Sequence, residues 1–249
     1  MIQLEKVSKT FNKGLVTETV ALQNISINIS AKEFIVVVGA NGSGKSTLLN
    51  CIAGNILPDS GNIYIDDNDV TEWPEHKRSK YISRIFQNPM LGTAPDLNIL
   101  ENFRLASLRT QRKGLHIGTD KAFTDIVKEK ISFLKMGMEN GIDKPMGSLS
   151  GGQRQALTLV MGIMDECQIM LLDEPTAALD PRSSVLVMEK AQEIIQKHNL
   201  TALLVTHHLK DALRYGNRLL MMKEGVIVED YSYDQKSVLT FEELAQLFD

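Results

Sequence analysis

Phe34-Ile35-Val36-Val37-Val38-Gly39-Ala40-Asn41-Gly42-Ser43-Gly44-Lys45-Ser46-Thr47-Leu48-Leu49-Asn50-Cys51-Ile52-Ala53 is the stretch that decides the fold. It opens with an apolar run that does not alternate. Such a run suits a strand buried on both faces, as in a parallel sheet. Gly39 ends the run. From Lys45 to Ala53, Leu48, Leu49 and Ile52 fall on one side of a predicted helix. Gly39 to Ser46 between them satisfies G-x-x-x-x-G-K-[ST] at each fixed position, with a strand before it and a helix after it. Glycines let the backbone curl so that successive N–H groups point inward at phosphate oxygens. The helix N-terminus adds its partial positive charge. The motif places Lys45 at the β- and γ-phosphates and the Ser46 hydroxyl at Mg²⁺, and the neighbouring Thr47 is a candidate hydrogen-bond partner of the α-phosphate.

Upstream, Ile2, Leu4 and Val7, then Leu22 to Ile29, alternate as half-buried strands, with a turn at Asn12-Lys13-Gly14 between them. Downstream, Gly54 to Gly61 is turn-rich and Asn62 to Asp66 alternates again. Helical periodicity then dominates over Asn98 to Leu108, Asp120 to Phe133 and Gln153 to Met164, with a loop-like pattern around Gly114 to Gly118. This region reads as an inserted helical subdomain. Ile169 to Leu172 is a second buried strand. A helix (Arg182 to His198), a strand (Thr201 to Thr206) and a helix (Lys210 to Tyr215) follow it. Strands at Arg218 to Met222 and Val226 to Val228, and a short helix from Phe241 to Leu247, complete the reading. The last stretch, Tyr231 to Asp249, reads as an acidic tail whose amphipathic end packs on the rest. Buried strands alternating with helices predict an α/β fold with a mainly parallel sheet.

The 249 residues are 43% apolar and 23% charged, which excludes a disordered tail, a collagen-like chain and a disulfide mini-protein. Lys and Arg total 27 against 31 Asp and Glu, for a net charge of −4 without a basic block, so no nucleic-acid partner is expected. No run of about 18 apolar residues occurs, so no bilayer span is expected. The start, Met1 to Lys6, lacks the basic head and apolar stretch of a signal peptide. Cys51 and Cys167 stand far apart in apolar segments and read as reduced thiols.

Asp173 and Glu174 follow the apolar run Ile169 to Leu172. Carboxylates at the C-terminal end of a parallel strand lie beside a phosphate loop at a neighbouring strand end. Asp173 is the candidate for holding Mg²⁺ through water, and Glu174 for orienting the attacking water.

Many phosphate-loop proteins share these features. Leu149-Ser150-Gly151-Gly152-Gln153 discriminates among them. Ser150, Gly151 and Gly152 stand at a helix N-terminus opened by Gln153, a second anion site. This segment resembles the signature of the ATP-binding-cassette ATPases, at the family's distance of about twenty residues before Asp173. The resemblance implies a P-loop NTPase (RecA-like) core with an N-terminal antiparallel β-subdomain and an inserted α-helical subdomain. The expected layout is one ATPase domain over 1–249, its core at 1–87 and 165–249 and its helical part at about 88–164. The implied cofactors are ATP and Mg²⁺. The implied assembly is a head-to-tail homodimer, in which each Ser150-Gly151-Gly152-Gln153 segment caps the ATP held by the partner's Gly39 to Thr47. Phe11 takes the place of the aromatic that stacks on adenine, although core packing is its alternative. Gln87 resembles the glutamine that touches Mg²⁺ and the attacking water and senses the membrane partner. Ala178-Leu179-Asp180 resembles the loop joining the two nucleotide sites, and His207 the histidine at the γ-phosphate. His208 departs from the family, where an acidic residue or Asn is common. The expected catalytic set is thus Glu174, His207, Lys45 and Gln87, and the metal set Ser46, Gln87 and Asp173.

Phe86 to Pro95, Pro74 to Arg78 and Tyr215 to Leu219 resemble a subgroup of bacterial import ATPases paired with a membrane permease and a substrate-binding protein. Some of that subgroup serve tryptophan or other aromatic amino acids. The resemblance implies peripheral attachment at the cytoplasmic face of the membrane. A permease helix would dock between the inserted helices and the Gln87 loop. An exporter ATPase is the alternative, and fused membrane helices, common in exporters, are absent. DNA-repair relatives carry coiled coils or zinc modules between the equivalents of Lys45 and Ser150. Here that interval, about a hundred residues, has neither sustained heptads nor metal spacing. Translation-associated relatives join two cassettes in one chain.

Overall fold

A computed structural model describes residues 1–109 and 118–247. In order they form β1 (Ile2–Phe11), β2 (Thr19–Ile29), β3 (Phe34–Val38), α1 (Lys45–Ala53), β4 (Ser60–Ile65), β5 (Asn68–Asp69), α2 (Glu75–Arg78) and β6 (Ile82–Ile85). Then come α3 (Ile99–Ala106), α4 (Lys121–Ser132), α5 (Gly151–Gly162), β7 (Ile169–Asp173), α6 (Pro181–Lys197), β8 (Thr201–Val205) and α7 (Leu209–Arg214). The described chain finishes with β9 (Arg218–Lys223), β10 (Val226–Tyr231), α8 (Tyr233–Val238) and α9 (Phe241–Gln246). Of the loop-like reading at Gly114 to Gly118, residues 114–117 lie outside the described residues.

Two sheets result. The first has the order β2-β1-β4-β5 and is antiparallel. The second has the order β10-β9-β3-β8-β7-β6, with parallel pairing from β9 through β6 and an antiparallel edge at β10. The unbroken apolar run of β3 has its physical cause here, because each face of this strand meets a different core. Ile35 and Val37 join Leu48, Leu49 and Ile52 of α1 and Ile2, Leu4 and Leu22 of the antiparallel sheet. Val36 and Val38 face the other way, toward Phe103, Leu157, Leu159 and Val187 of the helices. Helix α1 therefore lies between the two sheets. Helices α3, α4 and α5 share one continuous apolar cluster with the far face of the parallel sheet.

Strand β6 has no apolar run to announce it. Ser83 and Arg84 interrupt it, and it forms by pairing with β7, Ile82 to Ile169 through Ile85 to Leu172. The stretch after Tyr231 folds into two short helices. Lys236 of α8 is buried and donates to the Tyr215 and Gly216 carbonyls, and Leu244 of α9 is fully buried in the helical-side core. Burial drives the Lys236 ammonium down to a pKa of about 8. Among the described residues no helix is long and apolar enough to cross a membrane. Cys51 and Cys167 are free thiols, the first buried and the second partly so.

The end of α1 is closed from outside the helix. Arg78 is fully buried, and its guanidinium donates to the Cys51 and Ile52 carbonyls at 2.6 and 2.9 Å, and to Thr71 and Trp73 at 2.9 Å each. The last carbonyls of a helix lack intrahelical partners and must find donors. Arg78→Met removes these donors and leaves buried acceptors unpaired. A loss of about 3 kcal/mol is expected, read as a lower urea midpoint with an unchanged m-value. A midpoint equal to the parent's would show that the carbonyls are satisfied without Arg78.

Candidate active site

Strand order assembles the site. Strands β3, β8, β7 and β6 are neighbours and run parallel, so their C-terminal ends open on one edge of the sheet. Ligands of open α/β sheets gather at such an edge. The loop after β3 carries Gly39 to Gly44, that after β8 carries Thr206 and His207, that after β7 carries Glu174, and that after β6 carries Phe86 and Gln87.

Two glycines shape the first loop. Gly44 caps α1 at φ 100°, where a Cβ would lie 2.3 Å from the Ala21 carbonyl oxygen. Gly42, at φ 82°, has open space beside it. Lys45 is buried under the loop, its Nζ donating to the Gly39 and Ala40 carbonyls at 2.7 and 2.8 Å. Burial lowers its pKa, against the raising effect of Glu174 and Asp173. The ammonium thus already sits inside the glycine loop, as a phosphate cradle requires. Asn41 and Ser46 are exposed and Thr47 is half-buried.

The Ser46 hydroxyl donates to Asp173 Oδ1 at 3.1 Å, and Arg84 Nη2 contacts Asp173 Oδ2 at 3.2 Å. A hydroxyl beside a carboxylate is a hard-oxygen donor set. It fits Mg²⁺, which takes few protein ligands and keeps several waters. Next in the chain, Glu174 adopts φ +44°, a left-handed conformation uncommon for a non-glycine residue. Its N–H donates to the Val205 carbonyl at 3.0 Å, and its Oε2 lies 3.0 Å from His207 Nδ1. Thr206, whose N–H donates to Val37, fixes the start of the His207 loop. The His207 and His208 rings lie 4.2 Å apart, tilted by 42°.

A second assembly stands apart. Ser150 caps α5 in a reciprocal box: its Oγ accepts from Gln153 N–H, and Gln153 Oε1 accepts from Ser150 N–H. Asp180 caps α6 by accepting from the Arg182 and Ser183 amides, and the Ser183 hydrogen bonds hold its carboxyl below the usual range. A Cβ on Gly152 would meet Ser183 at 2.6 Å, and one on Gly151 would touch Leu179 at 3.3 Å. The close approach of the two helix N-termini therefore requires a glycine at 152, while at 151 a Cβ would press on the end of the Leu179 side chain.

Direct contacts thus join Ser46, Asp173 and Arg84, and join Glu174 to His207. Among the described residues no hydrogen bond or ion pair ties Phe11, Gln87, Asp180 or Ser150 to Gln153 to that cluster. Phe11 stands half-buried at the end of β1 with Lys9 Nζ 5.9 Å from its ring centre, and Gln87 is exposed. Sequence reading missed Arg84. Its one signal was a charge two residues before Phe86.

The family described as "ABC transporter" matches residues 22–177. The chain is 39% identical to the "Tyrosine transport ATP-binding protein" of Clostridioides difficile (strain R20291), across 100% of this chain and 99% of that one. It is 32% identical to the "Phosphonates import ATP-binding protein PhnC" of Lactococcus lactis subsp. cremoris (strain SK11), across 92% of each. A solved dimer of the ATP-binding cassette MJ0796, in a post-hydrolysis state bound to ADP and Pi, superposes with a TM-score of 0.80 at 28% identity, covering 94% of this chain and 99% of that one.

Replacing Lys45 with Ala deletes the buried ammonium. Nucleoside-triphosphate affinity measured by isothermal titration should fall about tenfold or more, the scale of a hydrogen bond to a charged group. Unaltered affinity would contradict the placement of phosphate in this loop.

Proposed function

Because the chain belongs to the ABC transporter family and is an ATP-hydrolysing transporter subunit, we propose that two copies clamp two ATP·Mg²⁺ between them to drive import of a small solute through a membrane permease. One observation carries the clamp. Lys45, Ser46, Asp173, Glu174 and His207 gather at one sheet edge, while the anion-ready N-terminus at Ser150 to Gln153 lies outside that cluster. A partner copy arranged head to tail supplies the missing cap. The dimeric state of the similar cassette supports this reading.

In the closed dimer the Lys45 ammonium exchanges the Gly39 and Ala40 carbonyls for β- and γ-phosphate oxygens, and Thr47 turns to the α-phosphate. The Gly39 to Gly44 amides complete the cradle, and Phe11 stacks on the base. Ser46, Asp173 and Gln87 are the residues that would hold Mg²⁺, which spreads the negative charge of the phosphoryl oxygens when bound. Glu174 orients the attacking water and receives its proton. The hydrogen bond between Glu174 and His207 Nδ1 aims the imidazole, leaving Nε2 to face the γ-phosphate. Ser150 and the Gly151 and Gly152 amides of the other copy meet the same phosphate from across the interface. Asp180 and its loop link one site to the other. ATP binding favours the closed pair and hydrolysis releases it.

The permease helix docks between the inserted helices and the Gln87 loop, at the cytoplasmic face of a bacterial membrane, and a substrate-binding protein delivers cargo from the other side. The name of the phosphonates relative favours import, and that of the tyrosine-transport relative favours an amino acid or similar small solute. The cargo never touches this subunit.

Glu174→Gln should keep ATP affinity while hydrolysis slows about 10²-fold or more, as expected for a lost base. Parental turnover in that variant would remove Glu174 from the role. In cells carrying only Glu174→Gln, uptake of a labelled aromatic amino acid should stop. Undiminished uptake of amino acids together with lost efflux would reverse the assigned direction.

A further inference from the structure

Asp173 is held at both of its oxygens, and only one of those holds is explained by the phosphate loop. Oδ1 faces the Ser46 hydroxyl, and Oδ2 faces Arg84 Nη2 at 3.2 Å. Arg84 stands on β6 opposite Leu171 of β7, so it reaches the end of β7 from the neighbouring strand. The pair is largely removed from water, with 11% of the Arg84 side chain and 14% of the Asp173 side chain exposed. The guanidinium is fixed on two further sides. Its Nη1 donates to Asn55 Oδ1 at 2.7 Å, just beyond the C-terminal end of α1, and its Cζ lies over the Phe86 ring, 4.7 Å from the centroid. Its Nε is buried without a partner among the described residues. A planar fork spanning a carboxylate and an amide from one fixed position is a task for Arg and not for Lys.

We propose that Arg84 is a positioning residue for the divalent cation: it clamps Asp173 from the strand side, braced on Asn55 and Phe86, so that the carboxylate keeps Oδ1 turned to Ser46. The proposal rests on the reading of Asp173 as the metal-side carboxylate. Two opposite effects of Arg84 can be told apart by sign. As a mere positive charge, it would repel the cation, and its removal would strengthen metal-dependent binding. As a clamp, its removal frees the carboxylate to rotate and weakens that binding. Groups that orient metal ligands from behind typically contribute tenfold or more to affinity. The clamp is therefore expected to dominate.

The test is carried out in the hydrolysis-deficient Glu174→Gln chain with mant-ATP fluorescence, titrated once in EDTA and once in Mg²⁺. The readout is the gain in affinity that Mg²⁺ confers. With Arg84→Met, affinity in EDTA should stay within about twofold, and the Mg²⁺ gain should shrink about tenfold. Arg84→Lys, which keeps the charge but not the fork, should lose about threefold of the gain. It also serves as the informative variant if Arg84→Met does not fold. Asp173→Asn should abolish the gain. An undiminished or larger gain in both Arg84 variants, beside a lost gain in Asp173→Asn, overturns the clamp and leaves the site reading intact. Equal weakening in EDTA and Mg²⁺ assigns Arg84 a structural role only, which also overturns it. A gain retained in Asp173→Asn defeats the site reading itself, and the clamp with it.

Discussion

A lysine ammonium buried beneath a glycine loop is unfavourable unless other groups meet its charge, because desolvation penalises the ionised form. Lys45 is in that position, and much of the surrounding architecture answers it. The Gly39 and Ala40 carbonyls accept its hydrogen bonds, while Asp173 at the end of β7 and Glu174 just after it supply negative potential. That proximity requires β7 to end level with β3, which parallel pairing through β8 secures. Parallel pairing in turn requires strands apolar on both faces, with one core shared with α1 and the antiparallel sheet and another with the helices. One buried charge therefore constrains strand direction, strand order and the two-sided core together.

The same geometry underlies the proposal of a second copy. A single sheet edge gathers Lys45, Ser46, Asp173, Glu174 and His207 around one glycine loop. The helix N-terminus at Ser150 is committed elsewhere, locked by its own capping box and packed on the Asp180 turn through Gly151 and Gly152. In the proposed clamp these two helix-end and loop sites are the two halves of one nucleotide site, divided across an interface. In that proposal closure depends on nucleotide, and the interface acts as a switch.

Local features were readable from sequence, and features made by distant pairing were not. The run Phe34 to Val38, its glycine loop and the helix from Lys45 to Ala53 lie in one continuous segment, and their pattern alone places them. The same holds for Ile169 to Glu174 and for Thr201 to His207, where an apolar strand carries its polar residue on the next position. Strand β6 was not readable, because Ser83 and Arg84 break its apolar character and its stability comes from β7, far along the chain. Arg84 and Arg78 are enclosed by carbonyls or a carboxylate from other segments, which no local pattern announces. Lys236 was hidden in what reads as an acidic tail, since nothing nearby signals the Tyr215 and Gly216 carbonyls that receive it. The proximity of Glu174 to His207 follows from strand order, which no local pattern encodes.

The divided site is tested most directly by the mass of the Glu174→Gln chain in solution, measured by light scattering after size exclusion. With ATP and Mg²⁺ it should run at twice the single-chain mass, and it should return to the single-chain mass when nucleotide is removed or Ser150 is replaced by Arg. A single-chain mass at high protein concentration with both ATP and Mg²⁺ present would contradict the account.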